Sequence, residues 1–127
     1  METKFNSQIC TTREQSERLL SLGLKKETAD MTWQYLNQWD GWYVRPLEED
    51  EKITHIEIPA WSLHRLLSML PDNAPRMFWI LDGANISIEW DNDGTDFFPH
   101  KGNMYDGLID CIEWLIKEGY FNKEYLV

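Results

Sequence analysis

Met31-Thr32-Trp33-Gln34-Tyr35-Leu36-Asn37-Gln38-Trp39-Asp40-Gly41-Trp42-Tyr43-Val44 is written in the two-residue period of a strand. Met31, Trp33 and Tyr35 alternate with Thr32 and Gln34, which places the large side chains on one face of a half-buried strand. Asp40-Gly41 then marks a turn between aromatic flanks, and Trp42-Tyr43-Val44 reads as the returning strand of a hairpin.

On either side of this hairpin the period becomes helical. Thr11…Glu14 and Thr12…Gln15 both fit a capping box, followed by Leu19, Leu20 and Leu22 and closed by Gly23. A second helix is expected from about Pro59 and Ala60, with Leu63, Leu66, Leu67 and Leu70 on one face and Pro71 ending it. A third begins at Asn103, with Asp106 in its first turn. It carries Leu108, Cys111, Ile112 and Leu115 at the same spacing and ends at Gly119. Gly107 inside that helix costs about 1 kcal/mol relative to Ala, so packing or an early helix start must accommodate it.

Two further strand signals complete the chain. Met77 to Leu81 and Ile86 to Trp90 flank Asp82-Gly83 as a second hairpin, and Ile53 to Ile58 is a candidate extra strand ended by Pro59. The acidic run Glu48 to Glu51 reads as a solvated loop. No repeat or linker divides residues 1–127, so one domain is expected. The fold class is α+β: an antiparallel sheet built from two hairpins, with Ile53–Ile58 as a candidate fifth strand and three helices packed mainly on one face.

Composition narrows the function. The chain is 43% hydrophobic and 27% charged, enough apolar material for one core. Net charge is −10, from 22 acidic and 12 basic residues, which disfavours direct contact with nucleic acid or an anionic membrane. The start, Met1-Glu2-Thr3-Lys4-Phe5-Asn6-Ser7, has no apolar segment of the signal-peptide kind, and no apolar run reaches the roughly 20 residues that span a bilayer. Cys10 and Cys111 are the two cysteines; Cys111 reads as a small buried hydrophobe, and the spacing leaves a Cys10–Cys111 disulfide open. A cytoplasmic protein is expected.

Catalytic signatures are absent: no phosphate-binding glycine loop, no HExxH, no CxxC pair and no GxSxG elbow. The histidines are His55, His64 and His100, with His64 beside rather than on the leucine face. Asp91-Asn92-Asp93-Gly94-Thr95-Asp96 resembles a calcium loop but fails at positions 5, 6 and 12. Asp91 to Gly102 is the longest stretch read as irregular. Its Asp91, Asp93, Asp96, His100 and Lys101 are the candidate groups for a small hydrolase. No metal or cofactor is expected.

The seven tryptophans set the chain apart. Trp33 and Tyr35 read as core. Trp39 and Trp42 flank a turn where full burial is difficult, so Trp39, Trp42 and Tyr43 are the candidate binding residues, with a protein as the expected partner. The alternative partner reading is an acidic inhibitor that presents carboxylates where a nucleic-acid enzyme expects phosphates.

Ala29-Asp30-Met31, Ile58-Pro59-Ala60-Trp61-Ser62-Leu63 with Leu66-Leu67 and Leu70-Pro71, and Leu108 to Ile112 resemble a family of small uncharacterised proteins. These occur in Bacteroides-type gut bacteria, their phages and their mobile elements. The resemblance implies a cytoplasmic, mobile-element origin, with no activity, ligand or catalytic residue to carry over. Read physically, its Pro59–Leu63 signature is expected to start a helix, with Trp61 and Leu63 pinning that helix to the sheet.

Overall fold

In a computed structural model, the described residues are 8–71, 77–81, 85–90, 94–99 and 103–127. Helix α1, Arg13–Ser21, starts as its capping box requires. Of the two threonines that fit the pattern, Thr12 is the N-cap: its Oγ1 accepts from Gln15 N, while Gln15 Oε1 accepts from Thr12 N. Thr11, one residue earlier, is fully buried instead. It receives the backbone N–H of Trp61 on its hydroxyl and gives its own N–H to Trp61 O.

The first hairpin forms as its period predicts. Strands β1, Met31–Leu36, and β2, Gly41–Pro46, pair antiparallel with Trp33 opposite Val44 and Tyr35 opposite Trp42. Their connection is a four-residue loop, the 3₁₀ turn Asn37–Trp39 plus Asp40 at φ 45°. Asp40, which tolerates the left-handed region, reverses the chain, and Gly41 already belongs to the strand.

The expected strand Ile53–Ile58 and the helix start at Pro59 are both displaced. Strand β3 is Ile58–Ala60 and pairs with β1, so Pro59 lies in a strand rather than in a first helical turn. An edge strand tolerates a missing N–H as well as a helix start does, so Pro59 alone does not distinguish the two. Ser62 caps the following helix: its hydroxyl accepts from Arg65 N, and α2 runs only over Leu63–Ser68. His64 is exposed on α2 and His55 is exposed in the turn before β3.

The segments Ala29–Met31 and Ile58–Leu63 meet at this junction. Asp30 accepts from both Ser62 N and Ser62 Oγ, and the Trp61 indole N–H donates to Thr28 Oγ1 at 2.9 Å. Trp61 is fully buried. These residues act as a joint between the start of β1 and the start of α2.

Strands β4, Met77–Leu81, and β5, Asn85–Trp90, form the second antiparallel hairpin. Its Asp82-Gly83 turn lies outside the described residues. The stretch read as irregular contains a strand: β6, Gly94–Pro99, pairs antiparallel with β5 along its whole length. The fold is α+β, with its strands in two three-stranded ladders, β2-β1-β3 and β4-β5-β6, rather than in one sheet.

Helix α3, Met104–Glu118, starts under Asn103, whose side chain accepts from the N–H groups of Tyr105 and Asp106, and ends at Gly119 with φ 80°. It packs on β5 and β6 and against α1 and α2, while α1 touches β3. The core gathers Leu19, Trp61, Leu66, Leu108, Ile112 and Leu115, each worth about 1.5–3 kcal/mol of burial. Gly107 is both buried and only three residues after the start of α3, so its position fits both of the expected accommodations. Cys111 sits fully buried in this core. Cys10 belongs to a separate cluster with Met31 and Ala60, so both thiols are free.

Candidate functional site

Alternation along β2 divides the three candidate binding residues. Trp42 shares a face with Tyr35, Trp33 and Val44, while its chain neighbour Tyr43 faces the other way, beside Gln34 and Arg45. Each face then builds its own aromatic pair. The rings of Tyr35 and Trp42 meet edge-on at 5.6 Å, and those of Trp39 and Tyr43 at 5.4 Å.

All four rings are open to solvent: Trp39 is 64% exposed, Tyr35 and Tyr43 45% each, and Trp42 37%. Tyr35 corrects the expectation of a core residue. Trp33, two positions earlier, is half-buried because its indole N–H reaches Thr11 O at 3.0 Å under the segment that enters α1. The cover from residues 10–13 does not extend to Tyr35. Its hydroxyl donates instead to Asp40 Oδ1, which raises the Tyr35 pKa above its ordinary value.

The Trp42 face continues to α1. The Arg13 guanidinium lies 4.6 Å from the centroid of the Trp42 ring, a cation–π contact. Arg13, Glu14, Glu17, Thr12, Trp33 and Trp42 together line an open cleft of about 400 Å³.

The Tyr43 face is polar. Arg45 forms a two-pronged ion pair with Glu51 and also donates to Gln34. Glu57 accepts from Gln34 Nε2 at 2.8 Å and from Thr32 Oγ1 at 3.0 Å. Arg45 together with the backbone N–H of Glu48 draws the Glu51 pKa down from 4.5 to about 2. The acidic loop is therefore folded onto the hairpin, with Asp50 in the left-handed region at φ 64°.

No group of His, Cys, Asp and Glu among the described residues is arranged to hold a metal ion, and no described helix is long and apolar enough to cross a membrane. Of the groups proposed for a hydrolase, Asp91, Asp93, His100 and Lys101 lie outside the described residues. Burial pushes the Cys10 thiol up to about 11 and the Cys111 thiol higher still, so neither is an activated nucleophile.

No protein-family model, curated protein or solved structure matches the chain.

Sequence reasoning found Trp39, Trp42 and Tyr43 from their closeness to a turn. It missed Tyr35 and Arg13. The signal for Arg13 lay three-dimensionally between α1 and β2, beyond any local pattern.

Proposed function

We propose that this chain is a non-enzymatic binding domain that engages a partner protein through the aromatic surface of the β1–β2 hairpin. The observation that carries this reading is the exposure of Tyr35, Trp39, Trp42 and Tyr43 around a single hairpin end. Large rings left in water at one place are costly for a monomer and are typical anchors of protein interfaces. Their edge-on pairing also limits the side-chain entropy lost on binding. We take the setting to be the cytoplasm of a bacterium and the origin a mobile element, on the support of the free cysteines and of the resemblance carried by residues 58–63.

Charge mimicry of nucleic acid has weaker support. Asp30, Glu51, Glu57, Asp110 and Glu113 are bonded within the chain, which withdraws these five carboxylates from any phosphate-like stripe.

The test is a tagged pull-down from lysate of the source bacterium, washed at low and high salt and read by mass spectrometry. It is run beside the double variant Trp39→Ala/Tyr43→Ala. The expected result is a protein retained at high salt by the parent chain and absent with the variant. A partner released by salt and indifferent to the variant would overturn this reading in favour of the acidic one.

A further inference from the structure

We propose that the cleft between α1 and the first hairpin receives an arginine side chain from a basic, extended segment of the partner protein. This rests on the reading of the hairpin as a protein-binding surface and adds the chemistry of what binds there.

The cleft already shows that it accepts a guanidinium. Arg13 lies over the Trp42 ring at 4.6 Å and makes no ion pair or hydrogen bond among the described residues. A neighbouring carboxylate exists at Glu17, but an arginine four residues before a glutamate is the weaker orientation for a helical pair. The aromatic face is what holds the cation.

Glu14 and Glu17 line the same cleft, are exposed, and also make no ion pair among the described residues. The site thus offers two aromatic walls, Trp33 and Trp42, and two unengaged carboxylates, with a single cation resting on one wall. A second guanidinium entering from outside gains the Trp42 face and a forked pairing to a carboxylate together. A lysine ammonium, a hydrated point charge, cannot stack in that way. The net charge of −10 steers a basic segment towards the chain. On this view Arg13 is a tethered placeholder that the incoming arginine displaces.

The experiment measures fluorescence anisotropy of a short labelled Gly/Ser peptide carrying a pair of arginines. The controls are the same peptide with citrulline, which keeps the shape without the charge, and with lysine. Saturable binding of the arginine peptide is expected, weaker by about tenfold with citrulline and intermediate with lysine. Arg13→Ala should tighten the arginine peptide by about threefold or more, because the competitor is gone. Trp42→Ala should weaken it by about fivefold or more, and Glu14→Gln/Glu17→Gln, which leaves the hairpin untouched, should do the same. The Trp39→Ala/Tyr43→Ala variant, altered on the opposite face, should bind the peptide as the parent chain does.

No saturable binding, equal binding of citrulline, or an Arg13→Ala variant that binds no tighter overturns the proposal. Partner capture that needs Trp39 and Tyr43 while the cleft variants capture normally overturns it too, yet leaves the hairpin surface standing. Peptide binding without any captured partner does the reverse.

Discussion

Trp61 illustrates how much one side chain can organise. It is fully buried, its indole N–H is satisfied by Thr28 Oγ1, and its backbone is locked to Thr11 in both directions. Trp61→Phe removes ring volume and the indole donor together. It should cost about 1–3 kcal/mol, read as a lower urea midpoint, with binding of the arginine peptide unchanged in the folded protein. Glu51 makes a second residue-scale prediction. Its pKa is held near 2 against an ordinary 4.5, so the stability it contributes is present above pH 4.5 and is lost as the pH falls through about 2. A carboxyl titration followed by NMR should place its midpoint near 2, and Arg45→Ala should return it towards 4.5. Single residues were unevenly legible in the sequence. Cys111 stands among helical apolar neighbours and was readable as buried. Tyr35 obeys the strand period perfectly and is exposed, because period reports which face a residue occupies and not how far the covering segment reaches.

At the scale of elements, the legible ones carry both an end signal and a period. Helix α1 has its capping box and Gly23, and α3 has Asn103 and Gly119. Thr12→Ala should therefore lower stability by about 1 kcal/mol, measured by thermal or urea unfolding, while Thr12→Ser should restore most of it. Strand β3 was misplaced because its decisive partner, β1, lies 25 to 29 positions away in the chain, and pairing at that distance leaves no local trace. Strand β6 was missed for a related reason. Its sequence Gly94-Thr95-Asp96-Phe97-Phe98-Pro99 lacks an apolar alternation and has a breaker at each end, so its pairing with β5 decides its state. The candidate site divides in the same way. The hairpin aromatics were visible as a local cluster, whereas the contact of Arg13 with Trp42 joins two elements and needed the fold.

For the whole molecule, the helices are what connect the two ladders. Helix α3 packs on β5 and β6, α1 packs on both α3 and β3, and Arg18 on α1 bridges to Asp110 and Glu113 on α3. Those ion pairs are partly exposed and worth at most about 1 kcal/mol, so the apolar contact beneath them is the main bond. The two buried thiols report on this assembly from two places, Cys10 beside β1 and β3 and Cys111 within α3. A thiol-reactive dye should leave both unmodified in the native protein and label both on unfolding in urea. Labelling of Cys10 well before Cys111 would show that the first ladder opens by itself. The strand that closes that ladder is three residues long with Pro59 at its centre. Such a rim offers a passing chain almost no amide donors on which to continue the sheet. Pro59 therefore works against continuation of the sheet on the β3 side of the ladder.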